Sequence, residues 1–281
     1  MSLGQIMLKT NMAQSLINIG KTFINSESSK FFNVLKEGFQ TLTIPRTGRY
    51  SFEVIGAGTS FTGHKKELSG ARIKGKIQLE RGDRITVALG QESKGQIVSG
   101  SGATFVVKEG GIQLEPLFIA SGAGYSSPNR IYGRASLSVP AEGNEKIGSS
   151  GVQVFQNGDV KNFFCAGAGF LESAKVERLS YQSQPPQSYS QGLMGGKGYE
   201  YLHKHELEGD FGGGGATFIR ELNGEWKVYY GCGGGDTGGS SRIRDDKVCE
   251  RGGEGSFSVD PNATFDHQFE DYAKCKIEFL N

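Results

Sequence analysis

The chain has 281 residues, with 31 Lys+Arg against 30 Asp+Glu and a net charge of +1. That balance excludes the basic excess of a nucleic-acid surface and the high net charge of a disordered chain. No run of about 18 apolar residues is present, so membrane insertion is not expected; 44 glycines beside only 7 prolines, with no every-third-glycine repeat, exclude collagen.

Residues 1–36 read differently from the rest. Leu8, Met12, Leu16, Ile19 and Phe23 form a helical stripe, and Asn25-Ser-Glu-Ser-Ser29 reads as its end and a linker. The spacing predicts an N-terminal α-helix and linker over 1–36, followed by one domain over 37–281. Met1–Lys30 has no apolar stretch with a cleavage site, which predicts no signal peptide. From Phe39 onward the period is two, the period of a strand. Phe39–Ile44 and Arg49–Ile55 are separated by the turn Pro45-Arg-Thr-Gly48. Ile73, Ile77 and Leu79 share one face of the next strand, and Arg81-Gly82-Asp83 turns into Arg84–Leu89. Three hairpins are expected. Gly110-Gly111 joins 103–108 to 112–120, Asn157-Gly158 joins 152–156 to 160–165, and Asn223-Gly224 joins 216–221 to 225–230. Ser256–Val259 and Lys274–Leu280 close an all-β chain.

Four strands end alike, in Gly56-Ala-Gly58, Gly122-Ala-Gly124, Gly167-Ala-Gly169 and Gly231-Cys-Gly233. Their irregular spacing excludes a solenoid. They predict strands that deliver the chain into glycine-rich segments at one end of a sheet. Such segments can form extended left-handed helices that hydrogen-bond side by side, because no Cβ separates them. Residues 209–255 are the expected centre of that bundle.

Chemistry-bearing motifs are sparse. Gly20-Lys21-Thr22 imitates a phosphate loop, but Ser15 stands where its first glycine belongs. Phe61 stands where a dinucleotide loop needs its third glycine. His203-Lys-His205-Glu206 lacks a third metal ligand at a recognisable spacing. No nucleophile signature occurs. The chain is therefore expected to be no enzyme, with no catalytic residue, metal or cofactor. Cys165, Cys232, Cys249 and Cys275 are thiols in an intracellular chain; in an extracellular one, Cys232 and Cys249 flank a loop that a disulfide could close. Asn262-Ala-Thr264 is a glycosylation sequon. The mixed-charge stretch Arg242–Arg251 reads as an exposed loop displayed by the scaffold.

The ordered motifs Gly38–Gly58, Lys76–Gln91, Gly102–Phe105, Pro116–Gly124, Phe211–Gly215 and Gly253–Phe257 resemble the glycine-rich extracellular domain of the anaplastic lymphoma kinase / leukocyte tyrosine kinase receptor family and its protist relatives. The resemblance covers roughly 38–281. It implies a tumour-necrosis-factor-like β-sandwich (a jelly roll) carrying a bundle of polyglycine-II helices, an extracellular setting, and binding of a protein ligand rather than catalysis. It also implies acidic contacts near Glu254. Two features depart from the family: Ser121–Tyr125 interrupts a glycine run, and 170–208 is Gln/Ser-rich. Basic Arg242, Arg244, Lys247 and Arg251 surround the Glu254 region, so the family's basic ligand does not transfer. The expected function is a receptor-like binding module that takes a protein ligand or a second copy through loops 170–208 and 240–251. Its expected contacts are Tyr181, Tyr189, Arg242, Arg244, Asp245, Asp246 and Glu254. A viral or phage adhesin or structural protein on the same scaffold is the alternative.

Overall fold

The computed structural model describes residues 31–61, 69–95, 99–110, 113–124, 152–155, 166–176, 184–197, 208–222, 225–229, 231–244, 247–251, 255–267 and 273–280. Within them the period-two sequence becomes antiparallel sheet. Strands β1 (Phe31–Val34), β3 (Gly48–Ile55), β5 (Ala71–Leu79), β17 (Thr264–His267) and β18 (Lys274–Phe279) form one sheet, ordered β1-β18-β3-β5-β17. Along β3, Tyr50, Phe52 and Val54 are buried, while Arg49, Ser51 and Glu53 alternate with them. Cys275 and Ile277 are buried on β18 between Lys274, Lys276 and Glu278. One face packs and the other carries charge, as in a half-covered antiparallel sheet.

The second sheet is different. It holds β2 (Gly38–Thr43), β6 (Arg84–Leu89), β8 (Thr104–Gly110), β9 (Gln113–Ala120) and β16 (Phe257–Ser258), ordered β16-β9-β8-β6-β2 and antiparallel throughout. Residues 85–89, 104–107 and 117–120 are all buried. Continuous apolar runs of this kind mark strands covered on both faces. On one face Ile85, Val87, Leu89, Val106 and Phe118 pack with Tyr50, Phe52, Val54, Ile73 and Ile277 of the first sheet. Phe52 and Phe118 stack across the gap with ring centroids 4.9 Å apart. The opposite face, with Ala88, Phe105, Val107 and Ile119, is covered by Phe170, Tyr189 and Leu193 from segments 166–176 and 184–197. The architecture is all-β and sandwich-like, with a further layer laid over the second sheet.

Smaller pairings complete the described chain. Strands β4 (Thr59–Phe61) and β7 (Ser93–Gly95) run parallel. Strand β10 (Val152–Phe155) lies between β11 (Lys175–Val176) and β14 (Ser240–Arg244), parallel to both, and β14 pairs antiparallel with β15 (Lys247–Arg251). Strands β12 (Phe218–Leu222) and β13 (Glu225–Tyr229) form the expected two-residue hairpin around 223–224. Strands β8 and β9 pair as expected but turn one residue later than Gly110-Gly111, since Gly110 ends β8 opposite Gln113; Gly82 turns with φ 94°.

Two expectations need revision, and one strand was not expected at all. Phe31–Val34, assigned to the linker, form β1 against β18, with Phe32 and Val34 buried. The alternation of those two residues is too short to stand out behind a helical stripe. The N-terminal helix itself falls outside the described residues. The expected hairpin of 152–156 with 160–165 lies outside the described residues in its turn and second arm; the described partners of β10, β11 and β14, are parallel to it. The mixed-charge stretch is the β14–β15 hairpin rather than an irregular loop. Strand β17 escapes a pattern search because Phe265 is its one large apolar residue; β5 imposes its conformation by pairing.

Gly75 makes the cross-sheet stack possible. It faces inward on β5 opposite Phe52, and a Cβ there would come closer than 3.0 Å to the Phe118 ring. Gly75→Ala should therefore destabilise the fold by about 1–3 kcal/mol in urea titrations. The Phe118→Leu background should absorb much of that loss. Equal losses in both backgrounds would show that the ring is not what Gly75 accommodates.

Candidate functional site

The glycine-rich segments meet over one end of the sandwich and bond backbone to backbone. Three segments, 209–215, 231–239 and 99–103, each bond five others among the described residues; of these, 99–103 leads into β8. It joins 56–58 through Ala57 N to Gly102 O (3.0 Å), and 90–91 through Gly102 N to Gln91 O (3.0 Å). Ser101 N donates to Ala123 O (2.9 Å), Gly234 N to Ser101 O (3.1 Å), and Gly100 N to Gly215 O (3.0 Å). A β-strand has two lateral neighbours; this segment has five, in 56–58, 90–91, 121–124, 209–215 and 231–235. The network is therefore centred on 99–103, 209–215 and 231–239 together, the last two inside the expected 209–255.

Glycine is needed here for closeness rather than for unusual dihedrals. A Cβ on Gly102 would overlap the Phe211 carbonyl, and one on Gly100 the Cys232 carbonyl. Neither residue has positive φ; in this region only Gly212 (104°) and Gly213 (84°) do. The network reaches the aromatic cover of the second sheet through Leu193, whose carbonyl accepts from Gly212 N at 2.9 Å.

Of the expected contact residues the structure describes Tyr189, Arg242 and Arg244. Tyr189 is a correction: it is 8% exposed, and its ring packs against Phe39, Phe105 and Phe170 at 5.2–5.7 Å. Burial raises its phenol pKa above the ordinary value. It belongs to the interior because the 184–197 segment folds down onto β8 instead of projecting. Arg242 and Arg244 lie on β14, in register with Cys249 and Lys247 of β15. Tyr181, Asp245, Asp246 and Glu254 lie outside the described residues.

Two places carry chemistry that the sequence did not single out. The first is a groove of about 560 Å³ on the outer face of the first sheet, lined by Arg49, Ser51, Glu53, Lys76, Lys276 and Glu278 among others. Lys74 reaches Glu53 at 3.4 Å and Lys276 reaches Glu278 at 3.9 Å. Among the described residues Arg49 and Lys76 make no ion pair and flank the short Ser51 side chain. The alternation of β3 and β5 implied these outward positions, but not a hollow between them.

The second is Asp210, between two glycine segments. Its N–H donates to Gly100 O at 3.2 Å, and its carbonyl accepts from Gly214 N at 3.1 Å. Burial raises its carboxyl to about 7, against the lowering effect of the Ser93 hydroxyl; Glu37 and Glu92 push it up further. The available signal was a lone carboxylate inside a run of residues without side chains.

No protein-family model matches the chain, and no curated protein matches it.

Two outcomes are expected. Gly102→Ala should cost at least about 3 kcal/mol in chemical denaturation, because its Cβ meets backbone that cannot rotate away. Gly110→Ala, with open space around it, should stay within about 0.5 kcal/mol. Similar small losses at both positions would refute close packing. For Asp210, the folded carboxyl holds its proton up to about pH 7, whereas the unfolded one releases it near its ordinary value of 3.8. Stability from this residue is thus complete below the lower value and falls as pH rises toward the upper one. Urea midpoints between pH 5 and 8 should fall less in Asp210→Asn than in the parent; parallel profiles would count against the assignment.

Proposed function

We propose that this chain is a non-enzymatic protein-binding module whose glycine network is a rigid platform for recognition loops. The observation that carries this reading is the five-neighbour backbone network at 99–103, capped by segments that seal the second sheet. An ordered scaffold holds the emerging hairpins without spending side chains on its own cohesion. Those side chains then stay available for contact.

In this reading the glycine segments are polyglycine-II helices. A three-residue turn directs hydrogen bonds outward at intervals of about 120°, which suits a segment with more than two neighbours. The negative φ of Gly100 and Gly102 fits the same conformation. The two face-to-face antiparallel sheets suit the tumour-necrosis-factor-like sandwich that the family resemblance implies. The partner is a protein, either a soluble ligand or a second copy. The β14–β15 hairpin, with Arg242, Arg244, Lys247, Glu250 and Arg251, is the contact element.

The test is affinity capture with the full chain as bait, followed by measured binding of the captured protein. Arg242→Ala and Arg244→Ala should together weaken the complex by at least about 2 kcal/mol, since arginine anchors dominate interface energies. Arg49→Ala and Lys76→Ala in the groove should change affinity little. If the groove variants abolish binding and the hairpin variants do not, the sandwich face is the contact surface and this assignment fails.

A further inference from the structure

The free edges of the sheets are not alike. An edge strand presents unpaired amides and carbonyls to any extended chain, and folds blunt it with charge, proline, a bulge or short length. Among the described residues, β11 and β16 are two residues long, and β1 is four. Strand β17 carries Asp266, and β15 carries Lys247, Glu250 and Arg251. Strands β12 and β13 each hold charges of both signs. Strand β2, the end strand of the second sheet, has none of these devices. It runs for six residues, Gly38-Phe-Gln-Thr-Leu-Thr43, without charge or proline, and its register with β6 is unbroken throughout.

The backbone shows which groups of β2 are free. Just past the strand, Ile44 N–H donates to Asp83 O at 2.8 Å and Ile44 O accepts from Gly82 N at 2.8 Å. Ile44 therefore turns its peptide groups toward the β6 side, as do Leu42 and Gln40 by alternation. The N–H and C=O of Phe39, Thr41 and Thr43 point the other way. Thr41 Oγ1 and Thr86 Oγ1, opposite each other, lie 2.9 Å apart, the close approach of a pair that exchanges no backbone bonds. Among the described residues no backbone group bonds to the outer side of Phe39, Thr41 or Thr43. None of the six residues is fully buried and Thr43 is exposed, whereas Ile85–Leu89 on the neighbouring β6 are all buried.

We propose that β2 pairs antiparallel with β2 of a second copy, about a two-fold axis through Thr41, so that the two five-stranded sheets join edge to edge. Thr41 then faces its own counterpart and Phe39 faces Thr43, so every bonded pair matches two residues whose peptide groups point outward. Gln40 faces Leu42. No like charges meet along the strand, which would oppose such a pairing. Both copies use the same edge, so the assembly closes at two instead of growing into a fibre. An edge that selects a foreign peptide needs side-chain pockets beside it, and the groove described above lies on the other sheet. The paired length is about 20 Å, at the small end of specific interfaces. The dimer is accordingly weak, with a dissociation constant on the order of 10–500 µM. This contact is separate from the β14–β15 hairpin, so it stands or falls apart from the function proposed above.

The test is analytical ultracentrifugation of the full chain from about 1 µM to 1 mM, with amide hydrogen exchange at the same concentrations. The chain should pass from monomer to dimer, and the amides of Phe39, Thr41 and Thr43 should exchange more slowly as it does. Thr41→Pro and Thr43→Pro each remove an outward N–H that β6 does not use, a place where an edge strand tolerates proline. Each should weaken the dimer at least about 10-fold while keeping the circular dichroism of the parent. Arg242→Ala combined with Arg244→Ala should leave the dimer unchanged. A chain still monomeric at about 1 mM, exchange at the three amides that ignores concentration, or a dimer lost in the arginine variant and kept in the proline variants would overturn the proposal. Should both proline variants fail to fold, an undiminished dimer in Thr43→Lys, which sets a charge at each end of the pairing, would overturn it equally.

Discussion

The structure depends on backbone meeting backbone with nothing between. Where Gly102 passes Phe211, and Gly100 passes Cys232, the space that a methyl group would occupy is filled by the carbonyl of another segment. Glycine loses more conformational freedom on folding than any other residue, so each such position costs entropy. The compensating return is a hydrogen bond for nearly every amide of the segment, in a region whose buried apolar side chains are mostly small, such as Ala57, Ala103 and Ala123. This exchange works only when all the segments are present together. Removing one leaves its neighbours' amides unpaired, out of reach of water.

That constraint explains the uneven covering of the two sheets. The first sheet needs one partner and shows solvent a face of Arg, Lys and Glu. The second has no polar face, because Phe105, Val107 and Ile119 point away from the sandwich. They are sheltered by Phe170, Tyr189 and Leu193, held in place by the glycine network. Leu193 carries a positive φ of 60°, unusual for a branched apolar residue. It tolerates that backbone because its side chain is fully buried and its carbonyl is taken by Gly212 and Gly213. The glycine layer is therefore a second wall of the core as well as a platform.

Much of the sandwich was legible in the sequence because its signals are local. Asn223-Gly224, Gly110-Gly111 and Gly82 announce their turns, and the alternation of β3 and β5 announces their faces. What escaped is set by distant pairing. Strand β17 exists because β5 offers an edge, β1 because β18 does, and β10 lies parallel to β14 across more than eighty residues of sequence. Tyr189 looked like an interface anchor because it stands in a Gln/Ser-rich stretch; nothing nearby reveals that Phe39, Phe105 and Phe170 form a socket for it. The Asp210 surroundings were illegible for the same reason. Thr59 and Ser93 are commonplace singly and face each other only when β4 and β7 run side by side.

Strand β18 fills the place between β1 and β3, so residues 274–279 complete a sheet begun more than two hundred positions earlier. During synthesis the chain emerges from its amino-terminal side. Until β18 arrives, one long edge of β3 has no strand to bond to, and Tyr50, Phe52 and Val54 sit beside an open slot where Cys275 and Ile277 belong. The sandwich is thus closed late and by a long-range contact, which makes for slow folding. A nascent chain paused before residue 274 offers that edge to whatever extended peptide it meets, including the same region of a neighbouring polysome product.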